Sequence, residues 1–199
     1  MVGDDDMRIK DPDRIDVLVN KNMWLSKEYI PKELINPKVK FLSDTNPEAM
    51  LLRKEAARAI EKLFKKAKKE KHELYAVSGY RSFKRQRDIF KENLKKDGEA
   101  ANKYSARPGQ SEHQTGLAID ITCESIDFLL SKDFQNTKEY EWLCENAYRF
   151  GFIIRYLKEK EDVTGYEFEP WHLRYVGEKV AEEIWLNKIT LEEFLLHKK

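Results

Sequence analysis

Residues 117–122, "LAIDIT", constrain the fold more than any other stretch, because apolar side chains recur there with the two-residue period of a β-strand. Leu117, Ile119 and Ile121 share one face of this strand, and Asp120 lies on the other face between small side chains. Burying an isolated charge is very costly, so a carboxylate in this position must be paired, hydrogen-bonded or bound to a metal. An arginine partner or an exposed position are the simpler explanations.

A histidine precedes this strand in the motif "SEHQTGLAID". His113 and Asp120 are seven positions apart, and this odd spacing would place them on opposite faces of one uninterrupted strand. Gly116 lies between them and permits a turn or bulge that resets the phase. The motif therefore predicts that His113 folds back to share a centre with Asp120, although a lone histidine is usually an ordinary polar residue.

A second histidine lies far downstream in "EPWH". Pro170 keeps Glu169 out of the helical region, so this motif is not a helical HExxH pair. The two motifs together fit an open catalytic zinc site, in which His113, Asp120 and His172 are the three protein ligands and water is the fourth. Glu169, three residues from a ligand, would then act as general base on that water.

The motif "SGYRS" places Arg81 just after a predicted strand, in the kind of loop that often carries functional side chains. A fixed guanidinium at this point would stabilise the oxyanion charge that develops when water attacks a carbonyl. The alternative interpretation is an arginine at a helix start that pairs with a surface acid.

The remaining pattern predicts an α+β fold, with a central antiparallel sheet packed by helices. Helices are predicted over residues 47–69 with Asn46 as cap, over residues 83–96 with Ser82 as cap, and over residues 138–150. Strands are predicted at "ELYAVSG", "LAIDIT", "FIIRYL" and "WHLRYV". Two C-terminal helices follow, and the second opens with a capping box of Thr190 and Glu193.

Neither repeats nor long linkers divide the chain, and 199 residues suffice for one domain with a buried core. We expect residues 1–15 to be a flexible, acidic lead and residues 16–199 to form a single zinc peptidase domain. Basic and acidic residues balance at 37 against 36. This balance argues against a nucleic-acid partner, which would require a basic excess to neutralise phosphates.

In their order and spacing, "SGYRS", "SEHQTGLAID" and "EPWH" resemble the zinc D-alanyl-D-alanine carboxypeptidases of the VanY type, to which the bifunctional VanXY enzymes are related. The resemblance spans roughly residues 17–195. It implies an α+β fold with the zinc at one end of a cleft. It also implies specific roles for the motif residues: zinc ligation by His113, Asp120 and His172, catalysis by Glu169 as base and Arg81 as transition-state stabiliser, and substrate binding by Ser111, Gln86 and Tyr80.

Such enzymes remove the terminal D-alanine from peptidoglycan stem pentapeptides or their precursors, so the resemblance implies this reaction with one zinc ion per chain. A bifunctional D,D-dipeptidase and D,D-carboxypeptidase, or an L-Ala–D-Glu endopeptidase, would use the same metal on a different bond. An alternative of another class is a wall-peptide binding protein with a purely structural zinc, although the intact Glu169 argues against it. Antibiotic resistance and routine wall maturation are both compatible with the resemblance.

A wall substrate requires export, yet the N-terminal sequence lacks the apolar core of a signal peptide. No apolar run approaches the roughly 20 residues needed to cross a bilayer. We expect a monomer at the outer face of the membrane or in the cell wall, with its native anchor absent from this chain. The alternative is a cytoplasmic enzyme that acts on wall precursors.

Overall fold

The computed structural model describes residues 7–198, which contain six strands and six helices joined by loops and short 3₁₀ turns. The strands are β1 (Leu34–Ile35), β2 (Leu52–Arg53), β3 (Tyr75–Ser78), β4 (Ala118–Thr122), β5 (Phe152–Tyr156) and β6 (Glu169–Tyr175). The helices are α1 (Lys54–Lys69), α2 (Phe83–Asp97), α3 (Lys138–Asn146), α4 (Glu161–Thr164), α5 (Glu178–Asn187) and α6 (Leu191–His197).

The longer strands form one four-stranded antiparallel sheet in the order β3-β4-β6-β5, and β1 pairs with β2 in a small separate sheet. The expected α+β fold, with a central antiparallel sheet packed by helices, is confirmed. Within the described part of the chain, no helix has the length and apolar character needed to span a membrane.

The central sheet has two chemically different faces because side chains alternate along its strands. Ile119 and Ile121 of β4 and Leu173 of β6 are fully buried in the main hydrophobic core. The opposite face carries Asp120 and His172, which are direct cross-strand partners in the β4–β6 pairing. Packing of the apolar face therefore also fixes where these two polar side chains lie.

Helix α1 supplies much of the rest of this core. Its buried residues recur with helical spacing and form a stripe: Ala56, Ala57, Ile60, Leu63 and Ala67. Basic residues in its last turn face water and suit the negative end of the helix dipole.

The predicted start of α1 at residue 47 is wrong. Glu48–Met50 form a 3₁₀ turn, β2 follows, and α1 begins only at Lys54. Asn46 does act as a cap, but it caps the turn, because its Oδ1 accepts a hydrogen bond of 2.8 Å from the backbone N–H of Glu48. The buried strand β2 pairs with β1, and this pairing keeps residues 52–53 extended. The local sequence predicted a helix here because it does not reveal that a partner strand is present.

The other predicted elements are confirmed with small changes at their ends. Helix α2 begins after Ser82, whose side chain accepts a hydrogen bond from the Arg85 backbone. Helix α3 ends at Asn146 and continues as a 3₁₀ turn toward Gly151. The capping box of Thr190 and Glu193 is present at α6.

Residues 7–15 contact the rest of the chain, although they belong to the expected flexible lead. The Ile9 backbone N–H donates to the Trp24 carbonyl at 2.9 Å, and Arg53 Nη1 donates to the Asp13 carbonyl at 2.9 Å. Residues 1–6 of the expected lead lie outside the described residues. The division into a lead and one domain at residue 15 stays a prediction.

Truncating a core side chain of α1 should destabilise the fold. Leu63→Ala removes a fully buried side chain and leaves a cavity, so we expect the free energy of unfolding to fall by about 2–5 kcal/mol. Urea denaturation measures this change. The exposed Lys62→Ala on the same helix is the control and should change the free energy of unfolding by less than about 0.5 kcal/mol. Equal effects of both substitutions would contradict the assigned core face.

Candidate active site

His113, Asp120 and His172 form a buried cluster on the polar face of the sheet, with one potential ligand atom from each within 4.8 Å of the others. Asp120 Oδ2 lies 3.3 Å from His113 Nε2, and Asp120 Oδ1 lies 3.1 Å from His172 Nδ1. Asp120 Oδ1 is buried and takes part in no hydrogen bond to the described residues. Two ring nitrogens and a free carboxylate oxygen that converge on one point fit a cation, and the two-histidine, one-carboxylate set fits zinc.

His113 reaches Asp120 because the chain turns sharply between them. Glu112–Thr115 form a 3₁₀ turn, and Gly116 ends it with a φ of +67°, in the left-handed region. A Cβ at Gly116 would come within 2.9 Å of Leu34 Cδ2 and 3.0 Å of the Arg53 backbone nitrogen, so the turn has no room for a side chain. The predicted phase change at Gly116 is confirmed.

A second irregularity turns Glu169 toward the cluster. Glu169 and His172 are three positions apart and would face opposite sides of a regular strand. The β5–β6 register shifts between Ile154 and Tyr156, and Pro170 lies in this irregular part of β6, where prolines are tolerated. As a result, Glu169 Oε2 lies 3.6 Å from His172 Nδ1.

The two histidines face the cluster with different ring nitrogens. His113 Nδ1 lies 2.7 Å from the Gly79 carbonyl oxygen. Because a carbonyl oxygen only accepts hydrogen bonds, Nδ1 of His113 carries the proton. The lone pair is then on Nε2, which points toward Asp120. His172 instead presents Nδ1 to Asp120, and its Nε2 faces Glu112 at 3.5 Å.

Burial and neighbouring charges set different protonation states for the two acids of the site. Burial raises the pKa of Glu169 to about 7, and the nearby Asp120 charge acts in the same direction. Burial also acts to raise the pKa of Asp120, but His113 and His172 outweigh it and hold that pKa well below its usual range. Asp120 is therefore ionised at neutral pH, whereas Glu169 is suited to exchange a proton there.

Arg81 is fixed beside the cluster by neutral side chains. Its Nη1 donates to Gln86 Oε1 at 2.9 Å, its Nη2 donates to Ser78 Oγ at 3.1 Å, and Nη2 lies 3.7 Å from Asp120 Oδ2. The amide nitrogen of Gln86 donates to the Ala106 carbonyl at 2.6 Å. Both ends of Gln86 are thus engaged within the protein, and this side chain orients Arg81.

These groups line one cavity of about 180 Å³, to which Ser111 also contributes. Tyr80 is absent from the described lining of this cavity. It lines a neighbouring cavity that shares Arg81 and also contains Asp44 and Glu48. The structure therefore brings together every predicted site residue except Tyr80, whose substrate contact stays a prediction.

Sequence reasoning missed several residues of the site. Tyr156, Tyr166 and Trp171 line the cavity, and Glu112 lies behind His172. Glu112 had a local signal, since it is the acid next to His113 in "SEHQTG". Tyr156 and Tyr166 had none, because they reach the cavity from β5 and from the loop before β6 only through tertiary packing.

A zinc metallopeptidase centre is the class of site that this arrangement defines, and similarity to known proteins agrees with that class. Residues 49–178 match the family model of VanY, D-alanyl-D-alanine carboxypeptidase. The chain belongs to this family, as its sequence motifs predicted.

Two curated relatives are similar in sequence to most of this chain. A Bacillus subtilis (strain 168) protein named as a carboxypeptidase, YodJ, is 50% identical over 187 residues, which are 94% of this chain and 68% of the relative. VanXYC of Enterococcus gallinarum, a bifunctional D-Ala-D-Ala dipeptidase and D-Ala-D-Ala carboxypeptidase, is 36% identical over 89% of this chain and 91% of its own length.

Two solved structures are similar over nearly the whole chain. The LdcB LD-carboxypeptidase has a TM-score of 0.90 and 49% identity, and the match covers 94% of this chain and 88% of LdcB. VanY, a vancomycin resistance D,D-pentapeptidase from a VanB-type cassette, was solved in complex with Zn(II). It has a TM-score of 0.72 and 32% identity over 91% of this chain and 98% of its own.

Removing the central carboxylate should abolish tight zinc binding. Asp120→Ala takes away a ligand, so we expect zinc affinity to fall by more than the roughly 100-fold that loss of an outer partner can cost. Zinc content after dialysis and competition with a chromogenic chelator measure the effect. Asp133→Ala, an exposed aspartate outside the cluster, is the matched control and should retain zinc. Tight zinc binding by the Asp120→Ala protein would contradict the assigned site.

Proposed function

We propose that this protein is a zinc carboxypeptidase that removes the C-terminal D-alanine from peptidoglycan stem peptides. The observation that carries the proposal is the position of Glu169, whose side chain is only 12% exposed and lies 3.6 Å from His172, beside the two-histidine, one-aspartate cluster. A purely structural zinc site has no use for a neighbouring glutamate whose pKa is raised to about 7 by partial burial. This argues against the alternative of a wall-peptide binding protein.

The proposed mechanism assigns each polar side chain one task. His113, Asp120 and His172 hold the zinc, which when bound polarises the scissile carbonyl and activates water. Glu169 accepts the proton of the attacking water and then delivers it to the leaving amine of D-alanine. The guanidinium of Arg81 stabilises the negative charge that develops on the carbonyl oxygen.

Substrate binding is proposed for the cavity wall around Arg81. Ser111 is buried there and offers a hydroxyl to the peptide. Gln86 contributes indirectly, because its amide oxygen holds Arg81 in place. Tyr80 would take part only if the bound peptide extends past Arg81 into the neighbouring cavity.

The bond that is cut has two candidates. The family model and the relative VanXYC favour the D-Ala–D-Ala bond of a pentapeptide. The bond between the preceding L-residue and D-alanine, in a tetrapeptide, is favoured by the higher TM-score with the LdcB LD-carboxypeptidase, 0.90 against 0.72 for VanY. Both reactions release D-alanine from the same end of the stem peptide and would use the same zinc, base and arginine.

The substrate also sets the proposed location. Finished stem peptides lie outside the membrane, so we propose that the protein acts there, as a monomer. Action on cytoplasmic precursors is the alternative, and activity on free D-Ala-D-Ala would favour it.

Replacing the base should remove turnover without removing zinc. Glu169→Gln has nearly the same shape but accepts no proton, so we expect kcat for D-alanine release to fall by about 10²–10⁴-fold. Zinc content and zinc affinity should stay close to those of the wild type. Glu167→Gln is the control, because Glu167 pairs with Lys132 outside the cavity and should leave kcat unchanged. Wild-type turnover by the Glu169→Gln protein would show that another group is the base.

Two matched peptides distinguish the candidate bonds. We would measure D-alanine release from acyl-Lys-D-Ala-D-Ala, from acyl-Lys-D-Ala and from free D-Ala-D-Ala, each with and without a chelator. Chelator-sensitive release from the longer peptide alone indicates a D,D-carboxypeptidase, and release from the shorter peptide indicates an L,D-carboxypeptidase. Hydrolysis of free D-Ala-D-Ala as well indicates the bifunctional type. If none of the three releases D-alanine, the proposal is wrong, and an endopeptidase or a binding protein becomes the better interpretation.

A further inference from the structure

A second buried charge cluster lies behind His172, and the mechanism does not use it. The carboxylate of Glu112 is its centre. Glu112 Oε1 accepts hydrogen bonds from Arg155 Nε and from Arg174 Nη1, both at 2.7 Å. Glu112 Oε2 and His172 Nε2 are both buried without a hydrogen-bond partner among the described residues, and they face each other at 3.5 Å.

The two arginines hold Glu112 in one orientation. Arg155 makes two further hydrogen bonds, of 2.8 and 2.6 Å, to the carboxylate of Glu192. Arg174 Nη2 donates to the carbonyl oxygens of Ile15 and Val17, both at 2.8 Å. Because these contacts fix both guanidinium planes, Oε1 stays directed at the arginines and Oε2 stays directed at His172.

This orientation decides which nitrogen of His172 is free to bind a metal. An ionised carboxylate only accepts hydrogen bonds, so Oε2 favours a proton on Nε2 of the ring. The lone pair is then left on Nδ1, the nitrogen that lies 3.1 Å from Asp120 Oδ1. Outer partners of this kind commonly fix the tautomer and the ring orientation of a metal-binding histidine.

We propose that Glu112 is a positioning residue of the zinc site, which holds His172 with its Nε2 protonated and its Nδ1 directed at the metal. Arg155 and Arg174 orient Glu112 for this task. The inference rests on the zinc assignment in the proposed function, but it is independent of which peptide bond is cut.

Glu112→Gln tests the proposal because it nearly preserves the shape of the side chain while it replaces one carboxylate oxygen, an acceptor, by an NH₂ group, a donor. The amide oxygen of the new side chain must face the arginines, so its NH₂ group faces His172 Nε2. Nε2 must then accept a hydrogen bond, which favours the tautomer with a proton on Nδ1. A protonated Nδ1 has no free lone pair, so this tautomer opposes metal binding. We expect zinc affinity to fall by about 10–100-fold, measured by competition with a chromogenic chelator in the absence of any peptide.

A second measurement reports the tautomer directly. Proton–nitrogen NMR of the zinc-saturated wild type should show a slowly exchanging ring N–H at His172 Nε2. The same signal should exchange faster with solvent in the Glu112→Gln protein, whose NH₂ group presents no acceptor to that N–H. A merely structural role for Glu112 would leave this signal unchanged.

Glu139→Gln is the matched control, since Glu139 is also a buried glutamate but pairs with Lys138 on α3 and does not line the cavity. It should leave zinc affinity and the ring N–H signal unchanged, even if it lowers the melting temperature. If the Glu112→Gln protein does not fold, Glu112→Asp keeps a carboxylate and should keep the Nε2–H signal. Wild-type zinc affinity in Glu112→Gln, equal zinc loss in Glu139→Gln, or loss of the Nε2–H signal in Glu112→Asp would each overturn the proposal.

The substrate assays and this test can fail separately. If none of the three peptide substrates releases D-alanine but Glu112→Gln weakens zinc binding, the proposed reaction is wrong and the positioning role stands. If the peptides are cut and Glu112→Gln binds zinc normally, the reaction stands and the positioning role is wrong.

Discussion

The cross-strand pairing of Asp120 with His172 is the constraint on which the site depends. These residues lie directly opposite each other in β4 and β6, and their neighbours Ile119 and Leu173 pair on the apolar face. A slip of one residue would move both polar side chains into the core and the apolar pair out of it. The hydrophobic effect that fixes the register therefore also fixes the distance between two of the three candidate zinc ligands.

Around this pair, the protein buries many charges, and each is compensated locally. Breaking one partner of such a buried network is typically costly, because it leaves an uncompensated charge in a medium of low polarity. Glu112 and Glu192 are matched by Arg155 and Arg174 behind the site. In front of it, Asp120 faces two histidines and Arg81, and one carboxylate oxygen is left for a cation.

The candidate zinc site and part of the remaining cavity wall come from different parts of the fold. The candidate ligands and the base come from the sheet and from one glycine turn. Part of the remaining cavity wall comes from loops: Tyr104 and Ser105 lie after α2, and Tyr166 lies between α4 and β6. Substitutions in these loops would change the cavity wall without replacing a candidate zinc ligand.

The sequence by itself determined the family, the antiparallel α+β fold, the three candidate ligands and the phase change at Gly116, because motif spacing and side-chain alternation are local properties. Tertiary structure alone decided the late start of α1, where β2 pairs with β1, and the turning of Glu169 toward His172 by a register shift. It also decided the separation of Tyr80 from the cavity and the joining of Glu112 to Arg155 and Arg174, which are 43 and 62 residues away in sequence. Such contacts depend on how distant segments pack, and no local pattern of residues encodes them.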